Sequence, residues 1–354
     1  MAAGETEGRA GAGRLVAVVV TYNRLEMLKK TLARLLETAP GALEAVLVVD
    51  NACTDGTTEW LAAQDDPRLR VLHSEKNLGG AGGFETGMRL VVEEMDPDWI
   101  VVMDDDGRPE PGALEAFQTQ DLGDWDAVAA AVYYPDGQIC DMNRPSRNPF
   151  WHARVFLNTL GQGGGRDGFH ITPAAYEGAA RQVDISSFVG LFVSRDAIAR
   201  VGYPDGRLFV YGEDGLYTLA LSQAGGRIGF VPAVRFEHDC STFEGDRRFR
   251  PLWKIYYYHR NLLFLYRMAA GWMFWLLLLV VLPKWLLKAR HHRGELRPFL
   301  RLLGLAVRHG LARRTDIAHA RVLAAAGQGV RNSGCPGDSG AAEPAPRRCR
   351  QARR

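Results

Sequence analysis

Three consecutive aspartates, Asp104, Asp105 and Asp106, follow the apolar run Trp99–Met103, a costly place to gather carboxylates. Burial penalises each charge, and neighbouring carboxylates penalise one another. A hard divalent cation bound by carboxylate and diphosphate oxygens would balance them; a surface turn or a helix cap would instead leave them to solvent. A second acidic pair, Glu213–Asp214 in LFVYGEDGLY, offers a base for a hydroxyl nucleophile. It reads equally as the N-terminal cap of a helix over LYTLALSQAG. The two groups are far apart in the chain, so only the fold can make them one site.

The elements around them predict such a fold. Residues 15–20, LVAVVV, form a β-branched run; the polar turn TYNR follows, and LEMLKKTLARLLE carries apolar residues at helical spacing. AVLVVD ends at Asp50, a short strand is expected around Arg70–Leu72, GFETGMRLVVEEM is again helical, and WIVVMDDDG closes the series. Strand alternating with helix predicts an α/β fold with a Rossmann-like, mostly parallel central sheet flanked by helices. Ligands bind such sheets beyond the carboxyl ends of the strands. Thr21–Arg24, Asp50–Asn51 and Asp104–Asp106 are therefore expected to face one crevice. After Gly107 the pattern is mixed, with a strand near Ala127–Tyr134, a Gly-rich loop at 161–168 and a strand near Val183–Ser194; this half is expected to hold the acceptor of any transfer.

Composition narrows the partners. The 354 residues are 47% hydrophobic, enough for a large core. The net charge of +2 hides an asymmetry: from Lys284 onward 16 Lys and Arg face 4 Asp and Glu, leaving 27 against 37 upstream. An acidic body is unsuited to nucleic acid, which needs a Lys/Arg stripe. A basic tail beside an apolar segment points to anionic lipid headgroups, or to a solvated extension. The five cysteines, Cys53, Cys140, Cys240, Cys335 and Cys349, form no CxxC pair, which favours a reducing compartment and no zinc site. Residues 1–13 lack the apolar core of a secretory signal and are expected to be a flexible leader. The most apolar stretch, Leu262–Leu287, has a length marginal for a membrane span. A single crossing would also carry the basic tail outside, against the positive-inside bias. An in-plane or re-entrant helix pair is expected, with HHRGELRPFLRLLGLAVRHGLARR as amphipathic partner and Trp272, Trp275 and Trp285 as interface anchors. A buried core helix is the alternative. From Gln328 the Gly/Pro/Arg-rich remainder predicts disorder.

In order along the chain, VVVTYNR, VVDNACTDGT, NLGGAGGF, VVMDDDG, GED and EHD resemble the motif series of family 2 glycosyltransferases with the glycosyltransferase A fold, over about Leu15 to Arg267. NLGGAGGF and the three-aspartate strand end look most like those of bacterial cell-wall galactofuranosyltransferases, with rhamnosyltransferases next. The resemblance implies an inverting transfer dependent on Mn or Mg. The donor would be a nucleotide sugar, UDP-galactofuranose in preference to dTDP-rhamnose, and the acceptor a lipid-linked glycan at the cytoplasmic face of the membrane.

It also implies a site. Thr21, Tyr22 and Arg24 would lie against the uridine, and Asp50 would accept a hydrogen bond from the base. Asn77 and Gly79–Gly83, Gly79 and Gly80 foremost, would let the backbone approach the nucleotide sugar. Asp104 and Asp106, beside Asp105, would hold ribose and metal. His238 would complete the metal shell, although such a histidine alone reads more simply as structural. Asp214 would be the general base and Glu213 would orient the acceptor. Leu216 stands where the family pattern continues with another acid. In PLWKIYYYHRNLLFLYR, Lys254 and Arg260 would meet a diphosphate and Trp253, Tyr256 and Tyr257 would stack on acceptor sugars, unless these aromatics pack the helix onto the sheet. The implied layout is a leader (1–13), a catalytic domain (14–260, divided into nucleotide-sugar half 14–107 and acceptor half 108–260), membrane-associating helices (261–327) and a basic tail (328–354). Three other functions compete: a polyprenyl-phosphate sugar synthase, whose anionic acceptor needs no base; an inactive nucleotide-binding partner in a membrane complex; and a nucleotidyltransferase, which would carry a Gly-rich basic loop where this chain has TYNRLEM.

Overall fold

The computed structural model describes residues 13–240 and 248–327; the expected leader up to residue 12 and the tail from 328 lie outside the described residues. Strand β1 (Leu15–Thr21) is buried at every position. Val16, Val18 and Val20 pack into one core layer and Leu15, Ala17 and Val19 into the other, as a central strand covered on both faces requires. Helix α1 (Leu25–Glu37) follows, then β2 (Ala45–Asp50), α2 (Thr57–Ala62), β3 (Leu69–His73), α3 (Gly79–Glu94) and β4 (Trp99–Asp104). β1 pairs in parallel with β2 and β4, and β2 with β3. The register sets Thr21 beside Asp50 and Val20 beside Asp104, so the polar strand ends expected to share a crevice lie side by side.

The chain continues through β5 (Gly107–Pro109), α4 (Ala113–Thr119), β6 (Ala127–Tyr133), α5 (Ala153–Gly161), β7 (Arg181–Val183), β8 (Leu191–Ser194), α6 (Arg195–Val201), α7 (Glu213–Gln223) and β9 (Ile228–His238). The nine-stranded sheet runs β3-β2-β1-β4-β8-β6-β9-β5, with β7 on β9. It is parallel through its first four positions. Beyond them β8 is antiparallel to both β4 and β6, while β6 and β9 are parallel, so the second half is mixed. The strand expected over Val183–Ser194 is two strands, β7 and β8. Between them Asp184 and Ile185 bond the Ser146 carbonyl and the Ser186 N–H donates to Thr218 Oγ1, which takes this stretch out of the ladder.

The last helices, α8 (Lys254–Ala270), α9 (Phe274–Leu287), α10 (Leu296–Leu311) and α11 (His319–Ala325), build a third core around Ile255, Leu263, Phe274, Trp285, Phe299 and Leu302. Trp285, expected at a membrane interface, is 4% exposed and packs edge-on against His259. Trp272 and Trp275 are exposed, as are Leu276, Leu279, Val280, Leu286 and Leu287, so α9 presents an uncovered apolar face. The helical run Lys254–Leu311 includes a segment long and apolar enough to cross a membrane.

Candidate active site

β4 ends with the aspartate cluster at the carboxyl edge of the sheet. Thr21 Oγ1 donates to Asp105 Oδ2 at 2.8 Å, and Thr31 Oγ1 donates to the Asp105 carbonyl at 2.6 Å, so two neighbouring elements fix the turn. Arg24 Nη1 lies 2.8 Å from Asp106 Oδ2 and 3.0 Å from Asp105 Oδ1. The second contact is an ion pair out of line for a hydrogen bond, and Asp105 Oδ1 is left without one. Arg24, expected against the uridine, is thus engaged as a counter-charge to the carboxylates.

His238, at the end of β9, lies with Nε2 3.4 Å from Asp106 Oδ1 and Nδ1 2.7 Å from Asn143 Oδ1. Burial pushes Asp104 up to about 7 and Asp105 up to about 8, with neighbouring aspartates adding to both shifts. Asp106 goes the other way, to about 2: burial opposes its charge, but His238 and Arg24 outweigh burial. Burial likewise opposes a charge on His238, which Asp106 and Cys240 nevertheless push up to about 10. A proton on His238 and a divalent cation would serve the same carboxylate, so the two compete.

The residues fit a divalent cation. Buried carboxylate oxygens in excess of their cationic partners, one of them lacking a hydrogen bond, form a hard-donor set that a bound cation would hold ionised. A different cluster, invisible in the sequence spacing, lies against His238. The ligand atoms of Cys140, His238 and Cys240 fall within 4.8 Å of one another, so the cysteines read as scattered are partly gathered.

Glu213 and Asp214 open α7 behind Gly212, which adopts the left-handed conformation at the N-cap (φ 83°). They occupy the first turn rather than the cap itself, and the Gly215 N–H donates to Asp214 Oδ1 at 2.6 Å. Burial raises both carboxyls; Asp214 and Asp104 raise Glu213 further. Asp104 also feels Asp214, so the fold brings the two acidic groups of the sequence into one electrostatic unit.

The loop preceding α7 holds two non-glycine residues at positive φ, Phe209 (70°) and Tyr211 (68°), a strained path that other groups must hold in place. Arg260 and Asn261 do so. Arg260 Nη2 donates to the Leu208 carbonyl at 2.8 Å, and Asn261 Nδ2 donates to the carbonyls of Val210 and Tyr211 at 3.0 and 2.7 Å. Arg260 is 0% exposed and lies over the rings of Tyr256 and Tyr257. The expectation that Arg260 meets a diphosphate is therefore corrected, because its guanidinium is spent inside the core. Tyr256 and Tyr257 are corrected likewise: both are buried, with hydroxyls bonded to His309 and His319. Trp253 is half-buried against Tyr257 and His319, and Lys254 is half-buried at the start of α8. Arg260→Leu is expected to cost about 1.5–3 kcal/mol through loss of its charged hydrogen bond. A denaturant midpoint and kcat measured together should both fall, since the same loop carries Glu213–Asp214.

At the end of β2, Asp50 is 2% exposed with both oxygens engaged. Oδ1 accepts from the Cys53 N–H, while Oδ2 accepts from Thr58 Oγ1 and lies 3.0 Å from His73 Nδ1. Burial would raise its pKa, but these hydrogen bonds outweigh burial and lower it. Asp50 thereby organises the loop after β2. Asn51, expected with Asp50 at the crevice, is 1% exposed and ties that loop to the next: its Nδ2 donates to Asn77 Oδ1 and the Gly79 carbonyl, and its Oδ1 accepts from the Leu78 N–H. Tyr22 is half-buried in the turn after β1.

The glycines of NLGGAGGF permit close approach to protein as much as to ligand. Gly79 has φ 71°, and a side chain there would run into the Phe209 carbonyl; one at Gly83 would begin 2.5 Å from Val20 Cγ1. Gly80 lies near Glu213, whose Oε1 is 3.4 Å from where a side chain at Gly80 would start. Gly79→Ala is expected to displace the Phe209 loop and raise the KM of the donor together with a loss in kcat, checked by steady-state kinetics against the thermal midpoint.

Comparison with known proteins follows the same geometry. The profile of the family described as glycosyl transferase family 2 matches residues 16–177. The galactofuranosyltransferase GlfT1 of Mycolicibacterium smegmatis is 30% identical over 243 residues, covering 67% of this chain and 73% of that one. The undecaprenyl-phosphate mannosyltransferase of Micrococcus luteus is 41% identical over 149 residues, 40% of this chain and 58% of the relative's length. Among solved structures, GalNAc-T7 with UDP, GalNAc and Mn2+ superposes with a TM-score of 0.50 at 12% identity, over 72% of this chain and 47% of that one, a likeness of fold.

Proposed function

From the premise that this chain belongs to glycosyl transferase family 2 and is a glycosyltransferase of the glycosyltransferase A fold, we propose that it moves a sugar from a nucleotide-sugar donor onto a lipid-linked acceptor at the cytoplasmic face of a membrane. The observation that carries this reading is the meeting of Asp104–Asp106, His238 and Glu213–Asp214 at one end of the sheet, where Asp104 and the Glu213–Asp214 pair feel each other's charge.

Asp104, Asp106 and His238 would hold a divalent cation, Mn or Mg, which when bound neutralises charge growing on the leaving diphosphate. Thr21 holds the aspartate turn, while Arg24 supplies a counter-charge beside it at Asp106. Asp214, its proton affinity raised by burial, takes the proton from the acceptor hydroxyl, and Glu213 orients that hydroxyl. Direct displacement by the activated hydroxyl inverts the anomeric centre without a protein nucleophile.

UDP-galactofuranose is the preferred donor, supported by the similarity to GlfT1 over two thirds of this chain. A nucleotide-activated rhamnose is the second reading. The similarity to a polyprenyl-phosphate mannosyltransferase favours a third, in which the acceptor is itself a phosphate. That acceptor would need no base, so the Glu213–Asp214 pair counts against it.

A panel of UDP-galactofuranose, dTDP-rhamnose and GDP-mannose, offered with lipid extract and Mn or Mg, separates the three. The proposal expects metal-dependent transfer from the UDP donor to a sugar hydroxyl. Product formed on a bare lipid phosphate would replace it with the third reading. Binding of a nucleotide sugar without any turnover would leave only an inactive partner.

A further inference from the structure

Glu213 faces two spaces. Besides its closeness to Gly80 at the aspartate end, it lines a pocket of about 530 Å³ between α7 and α8 that none of Asp104–Asp106 lines. Leu216, Phe264 and Met268 supply much of the wall. Against this apolar lining lie three arginines. Arg207 is neutralised by Asp205, with Nε 2.8 Å from Oδ1. Arg267 and Arg313 have no carboxylate partner among the described residues. Arg267 donates from Nη2 to the Leu311 carbonyl at 3.2 Å, yet its Nε is buried without a hydrogen bond, and the Arg313 charge bears directly on it. An anion between the partly buried Arg267 and the solvent-exposed Arg313 would satisfy the orphaned Nε and offset the repulsion between the two guanidiniums.

The surroundings say what carries that anion. Arg267 stacks on Phe274 and Trp275, at 4.5 and 5.5 Å from their ring centres. Trp275 is 61% exposed and begins the uncovered apolar face of α9. An alkyl chain leaving the pocket past Arg267 therefore meets apolar surface.

We propose that this pocket holds the phosphate or diphosphate of an isoprenoid lipid carrier, its oxygens on Arg267 and Arg313 and its first carbons against Leu216, Phe264 and Met268. The inference rests on the lipid-linked acceptor of the proposed function and adds the place of its anionic head. It also gives a physical reason for Leu216: an acid at this position would put a negative charge into the wall that receives the phosphate. Glu213, at the far end, lies between this pocket and the aspartate cluster, as a residue orienting the acceptor would.

The test uses the full chain in detergent, titrated by calorimetry with farnesyl diphosphate, inorganic diphosphate and farnesol. Arg313→Glu alters an exposed side chain and Leu216→Glu restores the acid; thermal melts identify any variant that fails to fold, and Arg267→Gln gives a third, milder change. Each variant is expected to weaken farnesyl diphosphate about tenfold or more and to raise the KM of the lipid acceptor alike, with the donor KM moved less than about twofold. Inorganic diphosphate and farnesol should each bind wild type at least about tenfold more weakly than farnesyl diphosphate.

Unchanged affinity in folded Arg313→Glu and Leu216→Glu overturns the site. Inorganic diphosphate binding as tightly as farnesyl diphosphate overturns the lipid source in favour of a free phosphate, and farnesol binding as tightly overturns the anion. Arginine-dependent farnesyl diphosphate binding by a protein that turns over no nucleotide sugar would sink the transferase proposal and leave this site standing. Normal turnover with arginine-independent binding would do the reverse.

Discussion

Asp214→Asn is expected to lower kcat by about 10²–10⁴-fold while nucleotide-sugar affinity stays near that of wild type. The substitution keeps the size of the side chain and an oxygen able to accept the Gly215 N–H bond, so the first turn of α7 should persist. What it removes is the carboxylate proposed to accept the hydroxyl proton. Wild type should also show an acid limb above the ordinary carboxylate range. Burial raises the Asp214 carboxyl, so it carries its proton, and cannot act as base, at pH values where an exposed aspartate is already ionised. Activity is therefore lost as pH falls through this raised pKa and recovered above it. Single-turnover transfer across pH, beside donor binding by calorimetry, separates the base from a merely structural acid: in the structural case asparagine would retain most of the rate.

Asp106→Ala is expected to abolish metal-dependent transfer, a loss of about 10³-fold or more where charge stabilisation on the leaving group is the main term. Asp106 is the aspartate on which Arg24 and His238 converge, so its removal takes away a donor and frees both cationic partners. Thermal unfolding gives an independent reading. At about one hundred times its dissociation constant, a ligand stabilises by about 2.7 kcal/mol. Wild type should gain a stabilisation of this size from Mn with UDP, and the variant should gain none. Retained stabilisation with lost turnover would move Asp106 from metal binding to another role in the reaction.

Much of this site was legible in the sequence because parallel α/β sheets deliver strand ends to one edge. Asp50 and Asp104 could be placed together from two apolar runs ending in carboxylates, and the β1 register shows them flanking Thr21 and Val20. What the sequence hid was the use to which each polar group is put. Arg24 has the charge to meet a nucleotide, yet its nearest anions are Asp105 and Asp106. Arg260 has the charge to meet a diphosphate, yet helical periodicity turns it inward, where three aromatic rings and a carbonyl accept it. Trp285 sits in the same apolar run as Trp275, but only Trp275 lies on the uncovered side of α9. Side-chain direction on a helix depends on what packs against it, and composition does not report that. Cys140 and Cys240 meet beside His238 for a similar reason, since long-range pairing of β6 with β9 sets the ends of distant segments together.

The most direct test of the central claim is release of free nucleotide and transfer of labelled sugar by the purified protein, with lipid-linked acceptor present and with Mn, Mg or a chelator. One uridine donor is expected to be consumed only when metal is present, with label appearing in the lipid fraction on a sugar hydroxyl and both signals vanishing in Asp106→Ala and Asp214→Asn. Transfer that proceeds undiminished in chelator, or that survives both substitutions, would contradict that claim.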